Sequence, residues 1–92
     1  MHVLGIGVID DGCEHHADAR GRLGAWLKIA RDAKWQSLAD VRQSQRDTDC
    51  VEGQTIFNIG GNKYRLYTTI NYETETVIVK EFLTHAEYSR RG

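Results

Sequence analysis

Apolar residues recur along the chain with two different periods. Residues 2–9 form a short, apolar, β-branched run that predicts a first strand, in which Gly5 and Gly7 mark a bulge or a close backbone approach. From residue 23 onward, apolar residues recur every three or four positions, which predicts an α-helix with one buried stripe. The stripe consists of Leu23, Trp26, Leu27, Ala30 and Ala33. Residues 14–20, between these two patterns, predict a short helix.

A second helix signal follows at Ser37. Ser37 is a favourable N-cap residue, and Asp40 three positions later completes a capping-box-like arrangement. Residues 43–53 are polar and lack apolar periodicity, which predicts a loop. Three strands are then predicted at residues 55–59, 63–72 and 76–83. The turns between them are predicted at Gly60-Gly61-Asn62, where glycine and asparagine tolerate a positive φ, and at Glu73-Thr74-Glu75.

The end of the chain and the order of the elements predict the fold class. Thr84 is expected to cap a last short helix, with Glu87 at the capping-box position. The predicted order is therefore β-α-α-β-β-β-α. This order indicates an α+β fold, with helices packed on one face of a mainly antiparallel four-stranded sheet. At 92 residues the chain is expected to form a single domain, residues 1–92.

Composition is typical of a soluble globular protein, with 40% hydrophobic and 27% charged residues. No apolar stretch approaches the ~20 residues that cross a bilayer and no signal peptide is recognised, so we expect a cytoplasmic protein. Twelve Lys and Arg against thirteen Asp and Glu give a net charge of −1, which argues against a nucleic-acid partner. The charges are segregated, however. Residues 10–18 contain four acids and no Lys or Arg, whereas residues 20–34 contain five bases and one acid.

The common site signatures are missing. Cys13 and Cys50 are expected to be free thiols, because a single bridge would not amount to a disulfide framework. Cys13, His15 and His16 are metal-ligand types, but their spacing matches no common zinc site, and we expect no bound metal ion. The sequence contains no Walker loop, no Rossmann glycine run after a strand and no G-x-S-x-G elbow.

Residues suited to RNA chemistry gather in the last third of the chain. Lys63, Arg65 and Tyr67 are predicted to alternate on one face of the strand at 63–72. Lys80 lies on the next strand, and His85 and Tyr88 lie one helical turn apart. Lysine and arginine suit a phosphate that gains charge, histidine suits proton transfer, and tyrosine suits stacking on a base. The positions of these residues in the sequence are also compatible with basic side chains that are simply exposed to solvent on strands and with a tyrosine that packs on the core.

The register of the last two strands stays open. If Thr69 pairs with Lys80, then Lys80, Phe82 and Thr84 share the face of Arg65. A slip of one residue would move Lys80 to the other face of the sheet.

Three segments carry a resemblance to a known family. They are residues 57–65 (FNIGGNKYR), 70–72 (INY) and 83–88 (LTHAEY). Together with similar segments upstream, they resemble the HigB family of toxins from bacterial type II toxin–antitoxin systems. The resemblance spans roughly residues 15–88. The first fifteen residues and residues 44–50 match poorly and lack prolines that are usual in the family.

The resemblance implies a RelE/ParE-like fold and an endoribonuclease that acts on mRNA, generally on the ribosome, without a metal ion or other cofactor. In such relatives the RNA 2′-hydroxyl attacks the adjacent phosphate and leaves a 2′,3′-cyclic phosphate and a 5′-hydroxyl. The resemblance also implies a HigA-type antitoxin that carries a helix-turn-helix. A higher-order toxin–antitoxin complex can form with it, and no membrane partner is expected.

Two segments can be compared with the family's motifs position by position. They are Gly61-Asn62-Lys63-Tyr64-Arg65 and His85-Ala86-Glu87-Tyr88. The resemblance implies that Arg65, with Lys63 or Lys80, binds the scissile phosphate. It further implies that His85 is the general acid or base and that Tyr88 stacks on or orients the RNA. Additional candidates for RNA contacts are Tyr67, Lys80 and Asn62, the last of which also suits a turn.

Two other functions stay open. ParE-like relatives with the same fold poison DNA gyrase through protein contacts, and an inactive copy would only bind its antitoxin. Arg65 and His85 favour the nuclease, because a gyrase-binding protein needs no proton donor beside a phosphate ligand. The near-neutral net charge predicts weak binding to free RNA, and therefore poorer cleavage of naked RNA than of ribosome-bound mRNA.

Overall fold

A computed structural model of the chain describes residues 1–61 and 63–87. Asn62 and the predicted site residue Tyr88 lie outside the described residues. The helices are α1 (Ile6–His15), α2 (Arg20–Asp32) and α3 (Leu38–Ser44), with a 3₁₀ turn at Ala17–Ala19 between the first two. The strands are β1 (His2–Leu4), β2 (Thr48–Val51), β3 (Gln54–Ile59), β4 (Tyr64–Asn71) and β5 (Thr76–Thr84). No helix in residues 1–61 and 63–87 is long and apolar enough to cross a membrane.

The strands form one sheet in the order β1-β5-β4-β3-β2. β1 runs parallel to β5, and the other neighbouring strands are antiparallel. The α+β class is therefore confirmed, but the sheet of the described residues has five strands rather than four. The additional strand is β2, which lies inside the predicted loop at 43–53. Only Thr48 of its four residues is buried, so this edge strand lacks the apolar alternation that marks a strand in sequence.

The prediction for the first twenty residues is wrong at two points. The strand predicted at 2–9 ends at Leu4, and α1 begins two residues later. Gly5 makes the change of direction with a φ of 83°, and a Cβ at this position would overlap the carbonyl oxygen of Val79. The helix predicted at 14–20 is also wrong, because α1 ends at His15 and a 3₁₀ turn follows before α2.

The core lies between the helices and one face of the sheet. Helix α2 forms as its apolar stripe predicts, and Leu23, Trp26 and Ala30 are buried. The ring of Trp26 meets Phe57 of β3 edge-on at 5.3 Å between centroids. Trp35 stacks on the same Phe57 ring at 6.1 Å, and both tryptophans are buried in the core. Burial of these aromatic rings removes the largest apolar side chains from water and holds α2 against the sheet.

The predicted caps and turns are confirmed in the described residues. The Oγ of Ser37 accepts a hydrogen bond from the main-chain amide of Asp40, and α3 begins at the next residue after Ser37. Gly60 and Gly61 have φ values of 65° and 70° in the β3–β4 turn. In the β4–β5 turn, the side chain of Asn71 accepts hydrogen bonds from two main-chain amides. These local features fix where α3 begins and where the strands of the hairpins turn.

Candidate active site

A β-bulge interrupts the pairing of β4 with β5. Tyr67 pairs with Glu81, but the next residue of β4, Thr68, pairs with Val79. Lys80 is therefore an extra residue of β5 at the bulge, and its side chain is exposed. A bulge re-aims the side chains beside it, which is why the alternation of the sequence could not place Lys80 on a face.

Thr69 of β4 pairs with Ile78 of β5. The register in which Thr69 pairs with Lys80 is therefore wrong. Leu66 pairs with Phe82, and both belong to the helix-covered face of the sheet. Arg65, next to Leu66 along the strand, points to the opposite face. The sharing of one face by Arg65 and Phe82, predicted for that register, is therefore wrong.

A main-chain hydrogen bond joins Lys63 to His85. The amide of His85 donates to the carbonyl oxygen of Lys63 at 2.8 Å, one step beyond the last pair of the β4–β5 ladder. The helical turn that starts at His85 is closed by a capping box. The main-chain amide of Thr84 donates to Glu87 Oε1 at 3.0 Å, and the amide of Glu87 donates to Thr84 Oγ1 at 3.2 Å. These bonds hold His85 beside Lys63.

A carboxylate that the sequence did not single out lies against the same end of β4. Tyr64 donates a hydrogen bond from its hydroxyl to Oδ1 of Asp18 at 2.7 Å. Lys63 approaches Oδ2 of the same carboxylate with its Nζ at 3.4 Å. Asp18 belongs to the 3₁₀ turn between α1 and α2, so Lys63 points toward the helix layer. The prediction that Lys63 shares the face of Arg65 is therefore wrong, because Lys63 precedes the first residue of β4.

The hydrogen bond between Tyr64 and Asp18 changes the acidity of both groups. Donation from Tyr64 holds the pKa of the Asp18 carboxyl below its ordinary value, and Lys63 acts in the same direction. Acceptance by Asp18 raises the pKa of the Tyr64 hydroxyl above its ordinary value. At neutral pH the pair is therefore a carboxylate and a neutral phenol.

Aromatic contacts fix the ring of Tyr64. It stacks on Phe82 with 5.0 Å between centroids and an interplanar angle of 25°. His16 lies against both rings, 5.0 Å from Tyr64 and 5.9 Å from Phe82. Only 7% of Tyr64 is exposed, so its hydroxyl is held in place by ring packing as well as by Asp18.

These residues border a shallow depression of about 530 Å³ on the surface. Its lining consists of Asp18, Lys63, Tyr64, Thr84, His85 and Ala86. Lys63 and His85, both exposed, therefore present an ammonium group and an imidazole at one open site. Such a site can bind an anion and exchange a proton with it.

The other predicted site residues lie on or near the face of the β4–β5 hairpin that the helices do not cover. They are Arg65, Tyr67 and Lys80. Arg65 is half-buried, and its guanidinium donates to the main-chain oxygen of Tyr64 at 3.2 Å. It is two positions from Lys63 and therefore lies at the same end of the hairpin as His85. Tyr67 is only 8% exposed, so its ring presents little surface on which a base could stack. Lys80 lies further along the hairpin, at the bulge.

Sequence reasoning missed Asp18 and Tyr64 as members of the site. Both residues lie in segments that resemble the family, and Asp18 is also one of the four acids of residues 10–18, but neither was assigned a role. The two residues are 46 positions apart, and no local pattern connects them. Metal ligation was also considered for Cys13 and its neighbours. Within residues 1–61 and 63–87, no group of three or more His, Cys, Asp or Glu could hold a metal ion.

Taken together, the fold and the site define a small α+β protein with cationic and imidazole groups at one end of a mainly antiparallel sheet. Residues 19–91 match the HigB_toxin family, described as the RelE-like toxic component of a toxin–antitoxin system. This match covers well over half of the chain. The chain therefore belongs to the HigB_toxin family, and the resemblance drawn from its sequence motifs is confirmed.

The chain is also similar to proteins that are named HigB. It is 26% identical over 91 residues to the mRNA interferase toxin HigB of Escherichia coli (strain K12), covering 96% of this chain and 88% of that protein. The mRNA interferases HigB of Escherichia coli O157:H7 and of Shigella flexneri match with the same identity and the same coverage. The similarity therefore extends along nearly the whole chain, including residues upstream of the family match.

Proposed function

We propose that this toxin is an endoribonuclease that cleaves mRNA. The relatives named mRNA interferase support the substrate and the reaction. The observation that carries the proposal is the hydrogen bond at 2.8 Å that sets His85 beside Lys63, with both side chains at the rim of one open depression. A phosphate ligand and a proton-transfer group side by side are what phosphodiester cleavage requires.

In the proposed reaction, the ribose 2′-hydroxyl oxygen attacks the adjacent phosphorus while the bond from phosphorus to the 5′-oxygen breaks. The 2′-hydroxyl loses its proton to a base, and the departing 5′-oxygen gains a proton from an acid. The products are a 2′,3′-cyclic phosphate and a 5′-hydroxyl. His85 supplies one of these two proton transfers, since an imidazole can both accept and donate a proton.

Arg65 and Lys63 are proposed to bind the scissile phosphate. Because their side chains leave opposite faces of the sheet and Arg65 does not line the depression, this phosphate would have to lie across the end of the hairpin, within reach of both. Negative charge grows on the non-bridging oxygens in the transition state, and fixed cations stabilise that charge most where water is partly excluded. Arg65 is half-buried, whereas the ammonium of Lys63 is exposed at the rim of the depression. We assign Arg65 the sustained contact and Lys63 a contact formed as the RNA arrives. Tyr88 keeps the role of stacking on or orienting the RNA that the family resemblance implies, and Asn62 and Lys80 stay candidates for RNA contacts.

The proposal includes two partners. A toxin of this family acts within a toxin–antitoxin system, and we propose that the antitoxin is of the HigA type with a helix-turn-helix. The ribosome is the second proposed partner. The chain has a net charge of −1, and neutralisation of phosphates supplies most of the affinity for free RNA. Presentation of mRNA by the ribosome would compensate for this weak affinity.

Expression of the chain in bacteria without its antitoxin tests the proposal. We expect growth arrest, with new mRNA ends that carry 2′,3′-cyclic phosphates and 5′-hydroxyls. Arg65→Ala and His85→Ala should abolish both effects. Arg46→Ala removes an exposed charge in the segment after α3 and should retain both. Growth arrest with DNA breaks and intact mRNA would overturn the proposal in favour of a ParE-like gyrase poison, and a harmless parent chain would indicate an inactive copy.

A further inference from the structure

Asp18 occupies a rigid position relative to the strands. It is the central residue of the 3₁₀ turn Ala17–Ala19 that joins α1 to α2. Ala19 beside it is buried in the core, and the amide of Ala19 donates to the carbonyl oxygen of His16 at 2.9 Å. The carboxylate therefore projects from a short connection that is anchored on both sides by packed helices.

The two carboxylate oxygens of Asp18 have different partners. Oδ1 accepts the short hydrogen bond, 2.7 Å, from the hydroxyl of Tyr64. Because the ring of Tyr64 is packed against Phe82 and His16, this bond fixes the rotation of the carboxylate. Oδ2 is then directed at the ammonium of Lys63, 3.4 Å away.

Lys63 has little else to fix its side chain. It is exposed, lies in the turn before β4 and has four rotatable bonds, so its ammonium would sample a wide volume without a partner. Its main-chain oxygen is held by His85, but its side chain is held by Asp18 alone among the hydrogen bonds of the described residues. The length of the Lys63 contact and its exposure make it a loose ion pair that an arriving phosphate can displace.

We propose that Asp18 is a positioning residue that holds the ammonium of Lys63 at the rim of the depression beside His85, with Tyr64 fixing the carboxylate. This inference rests on the proposed function, since it assigns Lys63 to the RNA phosphate. Asp18 acts through Lys63 and takes no proton from the substrate. The lowered pKa of its carboxyl supports this division, because an ionised carboxylate of low pKa is a weak base near neutral pH.

Motion of the Lys63 side chain tests the inference without any measurement of cleavage. NMR relaxation of the ¹⁵Nζ group reports how restricted the ammonium is, with Lys28 on the exposed face of α2 as an internal reference. We expect Lys63 to be more restricted than Lys28 in the parent chain. Asp18→Asn and Tyr64→Phe should both lower the order of Lys63, and Asp10→Asn, an exposed acid of α1, should leave it unchanged. Equal mobility of Lys63 and Lys28 in the parent would overturn the inference, whatever the activity.

Cleavage of ribosome-bound mRNA provides the second readout. Asp18→Asn is expected to lower kcat/KM roughly tenfold, the scale of a misplaced binding group rather than of a lost acid or base. In a Lys63→Ala background the same substitution should have almost no further effect, because the group that it positions is gone. An undiminished effect in that background, or loss of one limb of the pH–rate profile in Asp18→Asn, would overturn the positioning role. Restricted motion of Lys63 in a parent chain that leaves mRNA intact would separate failure of the proposed function from failure of the inference.

Discussion

The main-chain amide of His85 donates to the carbonyl oxygen of Lys63 at 2.8 Å, which extends the β4–β5 ladder by one step. Because this bond is made by backbone atoms, the adjacency of the two residues does not depend on either side chain. Substitution of a side chain at this pair therefore removes a chemical group while the hairpin end keeps its geometry. This separation of chemistry from structure makes the pair suitable for mutational analysis.

We expect His85→Ala to lower mRNA cleavage by about 10²–10⁴-fold, the usual contribution of a general acid or base. The free energy of unfolding should change little, because the side chain is exposed. Primer extension on mRNA from induced cells measures cleavage, and urea unfolding measures stability. His2→Ala, at an exposed position of β1, is the matched control. Full toxicity of the His85→Ala protein would remove His85 from the mechanism.

Gly5 and Gly7 provide a paired test of the N-terminal fold. Gly5→Ala places a Cβ in the space of the Val79 carbonyl oxygen and at a φ of 83°, so we expect a loss of about 1–3 kcal/mol in the free energy of unfolding. Gly7 lies inside α1 with nothing near its added Cβ. Gly7→Ala should therefore stabilise the chain by roughly 0.5–1 kcal/mol. Urea unfolding checks both. Destabilisation by Gly7→Ala would contradict a helix at this position.

The elements that the sequence predicts well are those with strong local signals. Helix α2 has a continuous stripe of period 3.6, and the β3–β4 and β4–β5 hairpins have clear turn residues. Residues 2–9 have no such signal, because a short apolar run fits a strand and a buried helix equally well. β2 was missed because an edge strand with three exposed residues out of four has no apolar alternation. A local pattern thus predicts the elements that have a continuous apolar period or recognisable cap or turn residues.

The residues of the site likewise fall into those that a local signal in the sequence predicts and those that it does not. His85 and Lys63 could be proposed from motif and spacing, since both lie in segments that resemble the family. The direction of the Lys63 side chain could not, because strand alternation fails at a residue that precedes the strand. The pairing of Asp18 with Tyr64 depends on the docking of the α1–α2 connection on β4, a contact between residues 46 positions apart. A single sequence contains no local signal of such a contact.

The Asp18–Tyr64 hydrogen bond predicts a dependence of stability on pH. A carboxyl whose pKa is lower in the folded than in the unfolded chain stabilises the fold above the ordinary aspartate pKa of about 4, and this contribution is lost as the pH falls through the lowered value. The stability difference between the parent and Tyr64→Phe should therefore be constant from about pH 5 to 8 and shrink below about pH 4. Urea unfolding across this range measures it. In an Asp18→Asn background, the stability difference caused by Tyr64→Phe should not change with pH. If that difference still changed with pH, a group other than Asp18 would be responsible.

The capping box at residues 84 and 87 predicts a stability effect of ordinary size. Thr84→Ala removes the Oγ1 that accepts from the amide of Glu87, and should cost about 1 kcal/mol in the free energy of unfolding. Glu87→Ala removes the acceptor for the amide of Thr84 and should act in the same direction. Glu87→Gln retains an acceptor oxygen and is the matched control, with a smaller effect expected. Equal losses for Glu87→Ala and Glu87→Gln would show that charge, rather than the cap, carries the stabilisation.

The charge distribution predicts a preference for mRNA on the ribosome over free RNA. The four acids of residues 10–18 and the five bases of residues 20–34 nearly cancel in the total of −1, so few phosphates of a free strand are neutralised at once. We expect the purified toxin to cleave naked mRNA at least about tenfold more slowly than the same mRNA in a reconstituted translation system. Lower ionic strength should narrow the difference, because unscreened cations then bind free RNA more strongly. Equal rates on both substrates at physiological salt would contradict the dependence on the ribosome and leave the cleavage chemistry at Lys63 and His85 unaffected.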